Sequence, residues 1–296
     1  MIAYNPKEWF TFIFRLHKAD TIQKLTPMMI AIAIYGGLIA YLELDFFQLD
    51  KESVAKNITV VHSLLGFVLS LLLVFRTNTA YDRWWEGRRL WGSLVNSSRN
   101  LSIKLDALLD TEDKENRIFF AETIGLYANT LSAHLSSEEQ RLILDEIDHP
   151  ELKGMDQEGH LPNKITSLLI NKVNNLVKDK VILPEHLLFI NNDLSAFTDV
   201  CGACERIKNT PIPFSYSSFI KKFIFFYIMT MPYGLVFSIG WYCVILVPFV
   251  LYVLASLELI AEEIENPFGT DANDLPIDDI CATIRRNINE IESCQI

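Results

Sequence analysis

The chain has 296 residues, 50% of them hydrophobic and 21% charged, with a formal net charge of −11 and a mean hydropathy of +0.21. A soluble domain rarely combines so much apolar content with so many charges, so the two are expected to be segregated into apolar spans and charged helices. The acidic balance excludes a nucleic-acid binder, because no basic domain is present to neutralise phosphates.

In chain order, residues 1–24 open on MIAYNPKEWF, which lacks the basic, apolar and small-residue regions of a secretory signal. Residues 25–44, LTPMMIAIAIYGGLIAYLEL, are interrupted only by Glu43 near the end. Residues 58–75, ITVVHSLLGFVLSLLLVF, hold His62 and no formal charge. At a rise of about 1.5 Å per residue, each is of the length that crosses about 30 Å of hydrocarbon. The loop between them carries Glu43, Asp45, Asp50 and Glu52 against Lys51 and Lys56. Arg15, Lys18 and Lys24 precede the first span, Arg76, Arg83, Arg88 and Arg89 follow the second, and Lys221 and Lys222 precede the third. All of these fall on one side when both termini are cytoplasmic. Tyr81, Trp84, Trp85 and Trp91 read as an interfacial aromatic belt.

Residues 77–218 are too polar to span a membrane. Leu90, Leu94 and Ile103, with Leu101, Leu105 and Leu108, recur at helical spacing and predict that the second span continues well into the cytoplasm. A further helix is expected after Thr111 as its N-cap, another from SSEEQRLILDEI with its Ser-x-x-Glu start, and two more over 165–180 and 184–205, with a loop over 148–162. Residues 223–239 and 241–257 then form a hairpin of spans meeting at Gly240. Pro232 and Pro248 lie inside them. Each would cost about 3 kcal/mol in a soluble helix, whereas in a membrane bundle neighbours re-satisfy the freed carbonyls, so kinked spans are expected. Beyond them, Pro267 and Gly269 end the helix, and Pro276 begins another with Asp278 and Asp279 in its first turn.

No phosphate-cradling glycine loop, H-E-x-x-H or G-x-S-x-G is present, and the six histidines are scattered, so no enzyme is expected. The five cysteines, Cys201, Cys204, Cys243, Cys281 and Cys294, fit a reducing compartment. Cys201 and Cys204 have CxxC spacing without a second Cys or His pair, which favours packed helical cysteines over a metal or redox site.

Three segments, FRTNTAYDRWWEGRRLWG (75–92), CERIKNTPIPFSY (204–216) and EEIENPFGTDANDLPIDDI (262–280), resemble the bestrophin family in its bacterial branch. They stand in that family's order relative to its spans, so the resemblance covers almost the whole chain. It implies an all-α integral membrane protein with four transmembrane helices and a helical cytosolic region, assembled as a homopentamer around one central pore in the bacterial inner membrane. The segments are then 1–24 (cytosolic), 25–76 (first two spans), 77–218 (cytosolic helices), 219–258 (last two spans) and 259–296 (cytosolic tail).

The resemblance further implies that the second span lines an apolar neck at Phe67, Leu71 and Phe75. Their i, i+4, i+8 spacing places them on one helix face. Taken alone, that stripe reads as a lipid-facing or helix-packing surface, and it is the resemblance that makes it pore-lining; the family more often carries Ile at the first two positions. An ungapped count back from Cys204 puts the family's cytosolic aperture at Glu185, beside His186, although the residue also reads as the first turn of a helix after Pro184. Glu263, Asn266, Asp271 and Asp274 match the calcium clasp of eukaryotic members, while Thr270, Ala272 and Asn273 interrupt its acidic run. Calcium is the one cofactor this brings into view, and conduction is expected to require none. The expected partners are other copies of the chain, membrane lipid and monovalent ions. The acidic balance, the outer loop and Glu185 favour cations, with a chloride channel of the same architecture as the alternative and a secondary transporter or a membrane scaffold behind it.

Overall fold

The computed structural model describes residues 21–48, 58–136 and 159–293, and these form eight α-helices and no strand. The expected helix at SSEEQRLILDEI, the outer-loop charges Asp50, Lys51, Glu52 and Lys56, and Arg15, Lys18 and Cys294 lie outside the described residues or at their edge. Among the described residues, three stretches are long and apolar enough to cross a membrane: Thr21–Phe46, Ile58–Leu108 and Phe214–Glu265.

The chain divides into two compact units. The first comprises Met1–Trp84, Pro211–Glu265 and Asp271–Asn273. It contains α1 (Thr21–Tyr41, extended by a π-helical turn, Leu42–Phe46), the first part of α2 (Ile58–Leu108), α6 (Phe214–Ile239) and α7 (Cys243–Glu265). Its core joins Ile32 and Ala40 of α1, Leu69 and Leu73 of α2, Ile220, Ile224 and Ile228 of α6, and Val247 and Leu251 of α7. Backbone carbonyls accept tyrosine hydroxyls between these helices: Tyr35 Oη donates to Met229 O at 3.0 Å and Tyr216 Oη to Leu72 O at 3.1 Å. Small residues allow the closest approaches. A Cβ on Gly234 would stand 2.9 Å from Thr59 Oγ1 and 3.1 Å from Thr59 N.

The break between α6 and α7 comes at Gly240, whose φ of 58° and ψ of −137° suit a residue without Cβ. A 3-10 turn, Gly240–Tyr242, follows. Trp241 and Tyr242 therefore belong to the turn and not to the span in which the sequence placed them. Both helices continue through Pro232 and Pro248.

The second unit comprises Trp85–Thr210, Asn266–Thr270 and Asp274–Ile296. It holds the remainder of α2, then α3 (Lys114–Leu135), α4 (Leu161–Lys178), α5 (His186–Asn209) and α8 (Ile277–Ser293). In this unit α3 packs against α8, α4 and α5, and α4 packs against α5. Leu94, Leu101 and Leu105 are buried as their spacing predicts, whereas Ile103 is exposed. Tyr127 and Phe197 meet edge to face at 4.6 Å between centroids. On α8, Ile277, Ile280, Cys281, Ile284 and Ile288 make one buried face.

Caps locate the helix starts more sharply than the sequence did. Asp113, not Thr111, caps α3, its Oδ1 accepting the Asn116 N–H at 3.3 Å. His160 caps α4, its Nδ1 accepting the Asn163 N–H at 3.2 Å, so Leu161 and Pro162 are helix and not loop. Pro276 stands just before α8, its carbonyl accepting the Ile280 N–H.

Candidate functional site

At about 1.5 Å per residue, the 51 residues of α2 run about 77 Å without a break. Leu69, Leu73, Arg76 and Ala80 are buried, while Phe67 (69% exposed), Leu71 (48%) and Phe75 (57%) lie on an uncovered face. Val60 and Leu64 continue that apolar stripe toward the helix start, and exposed Thr79 and Asp82 follow Phe75. Five apolar side chains aligned on one uncovered face form the kind of patch that marks an association or ligand surface.

Arg76, counted in the sequence among the charges beside the membrane, is instead 1% exposed. Its Nη2 lies 2.8 Å from Glu265 Oε2 and its Nε 3.5 Å from Glu258 Oε2. Glu265 Oε1 also accepts the Ile212 N–H, and Arg83 Nε donates to the Glu265 carbonyl. The aromatic belt likewise divides. Trp91 is fully buried, Trp84 Nε1 donates to Asn273 O at 3.1 Å, and Trp85 stays exposed. Glu43, assigned to an acidic outer surface, is 7% exposed within the π-helical turn.

Glu185 is exposed at the N-cap position of α5 and makes no side-chain cap bond. Leu183, Leu188 and Phe189 beside it are exposed as well. On α2, Arg88 and Arg89 are exposed and line a cavity of about 810 Å3 together with Trp85, Asn96 and Thr283.

The residues matched to a calcium clasp differ in setting. Glu263 accepts hydrogen bonds from Lys24 Nζ and Asn273 Nδ2, each at 2.6 Å. Asn266 and Asp271 are exposed. Asp274 is buried, and its Oδ2 would stand 2.7 Å from a Cβ on Gly269, so only glycine fits there without a shift. Calcium takes six to eight oxygen ligands. The Lys24 ammonium already supplies a cation to Glu263.

Among the described residues, the His, Cys, Asp and Glu side chains that converge at metal-holding distance are His134, His160 and Glu205. His134 stands in the last turn of α3, His160 caps α4, and Glu205 lies on α5. The two Nε2 atoms lie 2.6 and 2.7 Å from the same oxygen, Glu205 Oε1, and the rings are 4.6 Å apart. Burial pushes the Glu205 carboxyl up, but the hydrogen bonds from His134 and His160 outweigh it and hold the carboxyl below its ordinary range. The sequence reading passed over this cluster because its members are far apart along the chain. Only the packing of α3, α4 and α5 joins them. Cys201 and Cys204 are buried free thiols on α5, both pushed up to about 12 by burial.

Comparison with known proteins accounts for the long helix and its neighbours together. The family model described as Bacterial/Fungal Bestrophin protein matches residues 1–290. A protein of Nostoc sp. named voltage-dependent anion channel-forming protein is 35% identical, with 97% of this chain and 92% of the relative covered. A Salmonella typhi protein of the same descriptive name is 30% identical over 96% of this chain and 91% of its own. A crystal structure of a bacterial bestrophin homologue from Klebsiella pneumoniae superposes with a TM-score of 0.77 at 26% identity, covering 94% of this chain and all of that one. A family match of that span, with a shared fold, makes this chain a member of the bestrophin family, in its bacterial and fungal branch.

Proposed function

We propose that the chain is a passive anion channel of the inner membrane, built from five copies around a central pore and catalysing no reaction. The observation that carries this reading is its similarity over almost its whole length to proteins named voltage-dependent anion channel-forming. Four crossings, by α1, the first part of α2, α6 and α7, would leave both termini in the cytoplasm and lipid around the outside. The uncovered Phe67, Leu71 and Phe75 would stack as three apolar rings in the pentamer, a constriction able to gate by dewetting.

The acidic charge balance favoured cations, but it is a whole-chain sum. Glu263 is engaged by Lys24, Glu265 by Arg76, and Glu43 is buried, so these acids say little about what a permeating ion meets. Exposed Arg88 and Arg89, lining a cavity, suit anions instead. The cation reading retains one specific support, exposed Glu185, which as a ring of five would attract cations. Calcium would have to displace Lys24 to engage Glu263, so conduction is proposed to be independent of calcium, and a chelator should leave the current unchanged.

The test is the reversal potential of the purified protein in a planar bilayer under a KCl gradient. A shift toward the chloride equilibrium potential supports the proposal. A shift toward the potassium potential returns the choice to cations and makes Glu185→Gln the next variant.

A further inference from the structure

We infer that His134, His160 and Glu205 form a binding site for a divalent transition-metal cation of the zinc class. The inference stands apart from the conduction proposal, since all three residues belong to the second unit and none lies on the uncovered face of α2.

The donor set points to the ion. Two imidazole nitrogens and one carboxylate suit a borderline cation such as zinc, whereas calcium prefers an all-oxygen shell. The donor atoms all lie within 4.8 Å of one another. Tetrahedral zinc with bonds of about 2.0–2.1 Å holds its ligand atoms about 3.3 Å apart. The present Nε2–Oε1 separations of 2.6 and 2.7 Å therefore need to open by about 0.6 Å each, within reach of side-chain rotation. Three protein ligands leave a position for water. A cavity of about 400 Å3 bordered by Glu205, Thr166, Ser167 and Thr198 gives that water room. The side chains are 32%, 33% and 28% exposed, so a hydrated ion can reach them.

Two features limit the affinity. His160 Nδ1 accepts the Asn163 N–H, which places that ring's proton on Nε2. Binding metal at Nε2 moves the proton to Nδ1 and gives up the cap bond of α4. Lys208 Nζ, donating to the His134 carbonyl at 3.0 Å, adds a nearby positive charge. The site is therefore expected to be of moderate affinity, and to tie the end of α3, the start of α4 and the C-terminal end of α5 when filled. Cys201 lines the same cavity one turn before Glu205, but burial holds it as a thiol, so it is not counted as a ligand.

The experiment uses the full-length, tag-free protein in detergent, stripped of metal by chelator and dialysed. Zinc chloride is titrated by calorimetry, and cobalt chloride is followed by its visible absorption, which reports nitrogen and oxygen ligation directly on the unmutated protein. One zinc per chain, a cobalt band removed by zinc, and no displacement by millimolar calcium are expected. His134→Ala, His160→Ala and Glu205→Gln should each weaken zinc binding at least about tenfold, while His186→Ala leaves it unchanged. No zinc binding and no cobalt band, equal displacement by calcium, or binding that survives all three substitutions in folded protein overturns the inference.

Discussion

Replacing Arg76 by Ala removes the guanidinium that lies 2.8 Å from Glu265 and 3.5 Å from Glu258. The lost bond to Glu265 is worth about 1.5–3 kcal/mol, being a hydrogen bond between charged groups. Glu258, its side chain 4% exposed, is left as a buried carboxylate without its cation, and removing one partner of a buried pair costs about 3–5 kcal/mol altogether. In a chain of this size each kcal/mol moves the unfolding midpoint by about 2–4 °C. Arg76→Ala should therefore lower the apparent midpoint of the detergent-solubilised protein by about 10 °C, measured at a fixed scan rate. Glu258→Gln in the same background should recover part of that loss, because it removes the charge the arginine had balanced. A shift below about 2 °C, or strictly additive effects of the two substitutions, would mean that water or another cation reaches Glu258 and that the buried-pair argument is wrong.

Four further outcomes follow from the geometry. Phe75→Ala trims an uncovered ring on α2 and should raise single-channel current, read in planar bilayers, with little change in thermal midpoint; an unchanged current would place this face away from the pore. Gly234→Ala drives a Cβ to 3.1 Å from the backbone of Thr59 and should cost about 1–3 kcal/mol by overpacking, seen as a lower apparent midpoint. Asp113→Ala removes the cap of α3 and should cost about 1 kcal/mol, whereas Thr111→Ala should be near neutral in the same melt. Burial pushes Cys201 and Cys281 up to about 12, so near neutral pH their reactive thiolates are about a thousandfold scarcer than in the unfolded chain. Alkylation counted by mass spectrometry should leave both unmodified until the protein is denatured.

Periodicity and span length were enough to find α1, α2, α6 and α7, because a membrane demands about 20 consecutive apolar residues and such runs are visible one residue at a time. The leucine spacing from Leu94 to Leu105 likewise announced that α2 runs on past its apolar part, and three long segments rich in Trp, Pro and Gly announced the family. The helix ends were less legible. Which of several polar residues caps a helix depends on which side chain reaches the N–H three residues on, as Asp113 does and Thr111 does not.

The fate of individual charges was settled only by the tertiary structure. Arg76 and Glu43 look like interfacial charges in sequence, yet both are buried, Arg76 against Glu258 and Glu265 far away along the chain. A whole-chain charge count therefore said little about ion preference. His134, His160 and Glu205 lie far apart in sequence and on separate elements, so no spacing rule could join them. They converge because α3, α4 and α5 pack side by side, a long-range event that local patterns do not encode.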